Sequence, residues 1–217
     1  MTTKPLPLTP ELHAYVVAHG STPDDVMRDL VEETRAVLPA QATMQVAPEQ
    51  AALLTLLTRL LGARRAVEVG TFTGLSSLAI ARGLPDDGRL TCFDISEEYT
   101  GIARRYWARA GVAERIELRI GPAGETLREL PYERHLDFAF IDADKTGYPV
   151  YWAELVPRMR PGGIVAVDNT LRGGRVIAPQ NAEDRAVAAF NDEVMADVRV
   201  EPVLLPIADG LTLARVR

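Results

Sequence analysis

Short apolar runs alternate with longer segments of helical periodicity along most of this chain. The helical segments repeat apolar residues three and four positions apart, as one buried face of a helix does. Such alternation predicts an α/β fold built on a mostly parallel sheet. Seven strands are predicted, at 66–69, 89–94, 115–120, 136–141, 162–167, 198–205 and 211–216.

The two ends of the chain complete this pattern. The last two predicted strands meet at Asp209-Gly210, which is typical of a hairpin, so the sheet should include one antiparallel strand. At the other end, residues 1–8 are Pro-rich and predicted to be irregular. Helices are expected to begin at Thr9-Pro10 and at Thr22-Pro23, because a capping residue followed by proline is a helix start.

A third N-terminal helix is predicted to follow residues 45–48. It is apolar over more than one face. Such a helix either contacts both the sheet and a partner subunit or is fully buried, and the pattern does not separate the two.

The stretch 66–77, AVEVGTFTGLSS, has the form of a buried strand, a glycine turn and the start of a helix. Ligands of open α/β sheets bind beyond the carboxyl ends of such strands. Gly70 and Gly74 would let the backbone approach a ligand closely, and the helix start offers unpaired N–H groups. A turn that is merely structural would look the same.

The spacing within this turn argues against two kinds of nucleotide. Dinucleotide sites need glycines at the first, third and sixth positions, where this chain has Gly70, Phe72 and Leu75. No lysine follows Gly74, so the turn is not a phosphate-binding P-loop. A nucleoside cofactor without phosphates, such as S-adenosylmethionine, suits it better.

Composition limits the class of protein further. The 217 residues are 47% hydrophobic and 25% charged, which fits one domain with a sizeable core. A net charge of −6 argues against a broad nucleic-acid surface. The single cysteine, Cys92, excludes an internal disulfide and is expected to pack in a strand. Without a membrane-length apolar run or a signal-peptide core, a cytoplasmic protein is expected.

Carboxylates lie at the carboxyl ends of the predicted strands: Glu68, Asp94, Asp142 and Asp168. Buried carboxylates are costly without a partner. Asp94 ends the second strand, where it could accept both hydroxyls of a ribose. Because Ser96 and Glu97 follow it, Asp94 could equally cap a helix.

Asp142, Asp168 and Asn169 form a second predicted cluster, because strands four and five should be neighbours. Two carboxylates and an amide oxygen suit Mg²⁺, Ca²⁺ or Mn²⁺. The three histidines have no metal-ligand spacing, which argues against zinc. The alternative is a pair of loop caps.

Four segments together carry a family resemblance: 68–74, 140–145, 168–171 and 209–212. They resemble the cation-dependent O-methyltransferases, a family that includes the caffeoyl-CoA and catechol enzymes and bacterial-type members. The resemblance runs from about Met44 to the C-terminus. It implies the Rossmann-like class I S-adenosylmethionine-dependent fold with an antiparallel C-terminal strand. It also implies a homodimer, with residues 1–45 contributing to the acceptor pocket or the dimer contact of a single domain, 1–217.

The resemblance also implies roles for individual residues. The metal ligands would be Asp142, Asp168 and Asn169. The cofactor contacts would be Val46, Glu68, Gly70, Thr71, Ser76, Asp94, Ala123 and Asp142. Lys145 would be the base, and Lys145, Asn169 and Arg172 would contact the acceptor. Two positions depart from the family: Pro122 replaces an aspartate, which leaves a backbone contact from Ala123, and Arg172 replaces the tryptophan of plant members.

The expected reaction is transfer of a methyl group from S-adenosylmethionine to a small aromatic acceptor with vicinal hydroxyls. A phenol has a pKa of about 10, so a divalent cation, Mg²⁺ before Ca²⁺ or Mn²⁺, would help to deprotonate it. Lys145 would take the proton, although an ion pair with Asp144 or another acid is the alternative. Arg172 would meet an anionic acceptor or an RNA phosphate, or else be a solvated loop residue.

Three other functions remain open from the sequence. The first is methylation of a hydroxylated uridine in tRNA by a member of the same family. The second is a nucleotide-dependent oxidoreductase, against which Phe72 argues. The third is a binding protein with a silent site.

Overall fold

The computed structural model describes residues 6–217, and this part of the chain forms one seven-stranded sheet. The first five residues of the predicted irregular segment lie outside the described range, and residues 6–8 have no regular structure. In chain order the strands are β1 (Arg65–Val69), β2 (Arg89–Asp94), β3 (Ile116–Ile120), β4 (Leu136–Ile141), β5 (Met159–Val167), β6 (Val200–Leu205) and β7 (Leu211–Val216).

The strand order is β3-β2-β1-β4-β5-β7-β6. β1 to β5 pair in parallel, and β7 runs antiparallel to both β5 and β6. The predicted sheet with one antiparallel strand and a hairpin at Asp209-Gly210 is therefore confirmed. Because β1 lies between β2 and β4, the carboxyl ends of these strands open onto one edge of the sheet.

The helices surround this sheet. They are α1 (Pro10–Ala18), α2 (Asp25–Val37), α3 (Pro48–Leu60), α4 (Leu75–Gly83), α5 (Glu97–Arg109), α6 (Ala123–Thr126), α7 (Tyr148–Leu155) and α8 (Ala182–Ala196).

The two predicted helix starts differ in outcome. The side chain of Thr9 accepts from the backbone N–H of Leu12, so the first start is confirmed. The second was predicted at Thr22-Pro23, but α2 begins at Asp25 because the Asp24 carboxylate accepts from Met27 N at 3.0 Å. An aspartate two residues further along is an equally good cap, and the proline motif did not decide between them.

Apolar side chains fill both faces of the sheet. Leu54, Leu78 and Phe138 belong to the cluster on one face, and Phe93 and Trp152 belong to the other. Each fully buried leucine or phenylalanine contributes about 1.5–3 kcal/mol relative to an exposed one. Cys92 is fully buried in the first cluster, as predicted for a packing residue. Within residues 6–217, no helix is both long and apolar enough to cross a bilayer.

α3 has one buried face and one exposed face. Leu54 and Thr58 are fully buried, whereas Leu56 and Leu60 are 51% and 74% exposed. The interpretation of α3 as a fully buried helix was therefore wrong, and the exposed leucines leave a face on which a partner could pack.

Candidate active site

The glycine turn between β1 and α4 has an unusual backbone. Gly70 and Gly74 have φ near +90°, and Phe72 between them also has a positive φ. A β-carbon at Gly70 would overlap the backbone carbonyl of Asp142, and one at Gly74 would crowd Ala103 of α5. The glycines are therefore required by close packing inside the chain, in addition to any approach of a ligand.

A cavity of about 730 Å³ opens beyond the carboxyl ends of β1, β2, β4 and β5. Its size lies within the range of small-molecule sites. Eleven of the twelve predicted site residues line it: Val46, Gly70, Thr71, Ser76, Asp94, Ala123, Asp142, Lys145, Asp168, Asn169 and Arg172. Parallel pairing of the strands brings these positions together, although they are up to 126 residues apart in the chain.

Asp94 holds the glycine turn in shape. Its Oδ2 accepts from the backbone N–H groups of Thr71 and Phe72, both at 2.8 Å, and its Oδ1 accepts from Ser96 N at 2.8 Å. The helix-cap alternative for Asp94 was wrong, because the Ser96 hydroxyl caps α5 by accepting from Tyr99 N. Asp94 lines the cavity with its remaining lone pairs, so contact with a ribose stays a prediction.

Glu68 is the predicted cofactor contact that does not line the cavity. It is fully buried behind the cavity wall, next to Ser76, Cys92 and Thr71, and neither carboxyl oxygen makes a hydrogen bond of good geometry to a described residue. Burial raises its pKa to about 7, despite the opposing effect of the neighbouring hydroxyl and thiol groups. A direct contact between Glu68 and a cofactor has no support in this geometry.

Lys145 lines the cavity and lies in a short chain of polar contacts. Its ammonium group donates to Asp142 Oδ1 at 3.0 Å and to the Tyr148 hydroxyl at 2.7 Å. That hydroxyl donates to the backbone oxygen of Asp168 at 2.9 Å. Burial, with Asp142 and Asp168 nearby, raises the Tyr148 pKa well above its ordinary value, so Tyr148 stays a neutral hydrogen-bond donor. Lys145 therefore makes the ion pair that the sequence left as the alternative, with Asp142 as the acid and not Asp144. Its role as a base stays a prediction.

Asp168 and Asn169 stand beside Asp142. Asp168 Oδ1 accepts from the backbone N–H of Asn169 at 2.6 Å, and Asn169 has a positive φ of 54°. Burial raises the pKa of Asp168 to about 7, and the charge of Asp142 adds to the rise. A cation between the buried Asp168 carboxylate and the partly exposed Asp142 carboxylate would offset their repulsion.

The donor set fits a hard cation. Within residues 6–217 no three His, Cys, Asp or Glu side chains form a metal group, and the predicted set contains only two carboxylates with one amide. Gln50 adds a further amide: it is fully buried, it lines the same cavity, and neither polar atom has a hydrogen-bond partner of good geometry among the described residues. Oxygen donors of this kind suit Mg²⁺, Ca²⁺ or Mn²⁺.

Arg172 lines the cavity but already has two partners. Its guanidinium lies 2.7 Å from Glu183 Oε2 and 3.4 Å from Asp184 Oδ1. Only 15% of its side chain is exposed, so the solvated alternative was wrong. Asp184 is fully buried and also binds Arg175. The contact with an anionic acceptor stays a prediction, and Arg172 would have to exchange a partner to make it.

Several cavity residues were missed from the sequence. They are Gln50, Phe72 as a lining residue, Tyr99 and Tyr151. Phe72 and Tyr99 form an edge-to-face pair with ring centroids 5.0 Å apart, and the Tyr151 hydroxyl donates to Asp144. A polar residue on the apolar side of a helix, as at Gln50, was the signal that could have been followed. Tyr99 and Tyr151 could not be distinguished in the sequence from ordinary apolar positions of a helix.

A family model described as O-methyltransferase matches residues 18–217. The chain is 43% identical, over 205 residues, to a Dictyostelium discoideum protein named probable caffeoyl-CoA O-methyltransferase 2. The alignment covers 92% of this chain and 88% of that protein.

Solved structures agree with this match. The O-methyltransferase TomG from Streptomyces achromogenes, in complex with S-adenosylmethionine, has a TM-score of 0.86 and 32% identity, over 95% of this chain and 96% of its own. An O-methyltransferase from Bacillus cereus in complex with S-adenosylhomocysteine has a TM-score of 0.86 and 31% identity, over 95% and 97%.

Proposed function

This chain belongs to the O-methyltransferase family and is an S-adenosylmethionine-dependent enzyme of the caffeoyl-CoA O-methyltransferase type, and we propose that it methylates one hydroxyl of a small aromatic acceptor with two vicinal hydroxyls. We further propose that a divalent cation, Mg²⁺ before Ca²⁺ or Mn²⁺, takes part. One observation carries the proposal: Asp142, Asp168, Asn169 and Lys145 line the same cavity as the glycine turn.

The cation would be held by the carboxylates of Asp142 and Asp168 and the amide oxygen of Asn169. When bound, such an ion would lower the pKa of a hydroxyl in contact with it. A second hydroxyl on the neighbouring carbon would give the acceptor two points of attachment. This is why a vicinal diol is favoured over a simple phenol.

The cofactor would lie along the glycine turn. We propose contacts from Val46, Gly70, Thr71 and Ser76, with Asp94 at the ribose. Ala123 at the start of α6 and Asp142 complete the proposed set, and Glu68 lies fully buried behind the cavity wall. Phe72 and Tyr99 add an aromatic wall to the same end of the cavity.

In the transfer step the acceptor oxygen forms a bond to the methyl carbon while the bond from that carbon to sulfur breaks. The products are the methyl ether and S-adenosylhomocysteine, and the hydroxyl proton must go to a base. Lys145 is the proposed base, and the Tyr148 hydroxyl, 2.7 Å away, holds its nitrogen in place. A base positioned in this way typically contributes on the order of 10²–10⁴-fold to the rate.

Labelled methyl transfer from S-adenosylmethionine tests the proposal. The acceptors would be catechol, 3,4-dihydroxybenzoate, the monohydroxy analogue of each, and unmodified and hydroxylated tRNA, each with Mg²⁺ and with excess chelator. We expect labelled product with the two vicinal diols and Mg²⁺ only. Transfer to tRNA alone would support the RNA function instead, and equal transfer to the monohydroxy compounds would contradict the chelated acceptor.

We propose that residues 1–217 act as one methyltransferase domain and form a homodimer. Thr43 and Met44, at the end of the N-terminal region, line the cavity, which supports a contribution of that region to the acceptor pocket. The exposed Leu56 and Leu60 of α3 support a partner contact. Light scattering on the purified protein tests the dimer, with Leu60→Glu as the variant that should dissociate it.

A further inference from the structure

The segment 43–47 separates two cavities. One is the 730 Å³ cavity of the proposed active site, and the other has about 420 Å³ and lies against α2 and α3. Thr43, Gln45, Val46 and Ala47 line both. The segment therefore has a cavity on each of two sides, and Val46 is its residue buried in the core.

Gln45 ties this segment to the rest of the chain. Its Nε2 donates to the Thr34 hydroxyl at 3.1 Å and to the Thr73 hydroxyl at 3.0 Å. Thr34 Oγ1 in turn donates to Thr73 Oγ1 at 3.0 Å. Thr34 lies on α2 and Thr73 lies within the glycine turn, and both are fully buried.

Among the described residues, no other member of the segment has a hydrogen bond to α2 or to the glycine turn. Among the residues that the structure describes, the remaining hydrogen bonds of 43–47 run to neighbours between Gln41 and Ala51. The three-residue cluster is therefore the polar link from the segment to the turn on which the cofactor is expected. The amide of Gln45 is partly buried, and its two acceptors are fully buried hydroxyls that would lose a donor if the segment moved. The link therefore favours one position of the segment.

We propose that Gln45, Thr34 and Thr73 are positioning residues for the cofactor: together they hold Val46 and its neighbours against the cavity and thereby set the affinity for S-adenosylmethionine. Neither Thr34 nor Thr73 lines the cavity. Their effect on the cofactor must pass through the position of the segment and the turn. The proposal concerns cofactor binding alone and is independent of the acceptor and of the metal.

Calorimetric titration with S-adenosylhomocysteine tests this inference. Thr34→Val keeps the shape of the side chain and removes the hydroxyl, whereas Thr34→Ser keeps the hydroxyl. We expect Thr34→Val to raise the Kd about 10-fold, mainly through faster dissociation, and Thr34→Ser to stay within about twofold of the parent. Thr73→Val and Thr73→Ser should behave in the same way.

Thr58→Val is the matched control. Thr58 is also fully buried, but its hydroxyl donates to Leu54 O within α3 and to no part of the segment. It should lower stability without changing the Kd. If Thr34→Val does not fold, Gln45→Met is the second variant. It breaks the same link by removing the side-chain amide that donates to Thr34 and Thr73, and it does so at a partly exposed position. Parent-like affinity in Thr34→Val and Gln45→Met, or an equal loss in Thr34→Ser, would overturn the proposal.

Discussion

The Lys145 nitrogen lies 3.0 Å from Oδ1 of Asp142, and both largely buried side chains line the cavity. The proposed base is thus in direct contact with a proposed cation ligand. A lysine in this position is held by a carboxylate when no cation is present. Binding of a cation by Asp142 would weaken that pair and release the amine to face the acceptor.

Replacement of Lys145 should therefore reduce turnover much more than binding. We expect Lys145→Ala to lower kcat on the order of 10²–10⁴-fold with little change in the Kd for S-adenosylhomocysteine. Lys145→Arg is the control, because it keeps the positive charge but does not give up its proton. Near-normal kcat in Lys145→Arg would make Lys145 a source of charge and not a base.

Removal of the cation should stop catalysis and spare the cofactor. We expect excess chelator to abolish methyl transfer to a catechol while S-adenosylhomocysteine still binds. Asp168→Ala should give the same result, because it removes a charged ligand, and added Mg²⁺ should not rescue it. Full turnover in chelator, measured on metal-stripped protein, would exclude a metal role for these residues.

Glu68 should make stability depend on pH. Its pKa is about 7 in the folded protein against 4.5 as the ordinary value, so its contribution to stability is complete below pH 4.5 and is lost as the pH rises to 7. When the pH is raised from 5 to 7.5, the free energy of unfolding of the parent should fall by about 2 kcal/mol more than that of Glu68→Gln. Urea unfolding at the two pH values measures this, and parallel losses in both proteins would refute it.

Arg172 should matter for the loop more than for the choice of acceptor. Because its guanidinium is paired with Glu183 and Asp184, we expect Arg172→Ala to lower kcat/KM equally for a carboxylated catechol and its uncharged analogue. A selective loss of the carboxylated substrate would instead support the anionic-acceptor prediction.

The sheet was predictable because its signals are local. The strands 136–141 and 211–216 were predicted at their observed bounds, since each is a short apolar run closed by polar residues or glycine. The fifth strand was predicted from 162 but begins at Met159. Pro161 and the two glycines after it look like a turn, and pairing of Met159 with Leu136 overrides that local preference.

The part of the site that was predictable consists of residues that directly follow a strand. Asp142, Asp168 and Asn169 follow β4 and β5, so topology alone brings them together. Gln50 and the link between Thr34, Gln45 and Thr73 depend on how α2 and α3 pack over the turn. No spacing in the sequence encodes that packing, and the partners of Arg172 in α8 were hidden for the same reason.

The close approach of Gly70 to the Asp142 carbonyl has a consequence for anyone who redesigns this enzyme. The backbone that would carry the cofactor and the backbone that would carry the acceptor touch there, with no room for a methyl group between them. A combinatorial library should therefore leave 68–74 and 140–143 untouched. Diversity placed at 171–174 can reshape the acceptor pocket without shifting that contact. It also leaves the 43–47 segment unchanged, so acceptor range can be evolved separately from cofactor use.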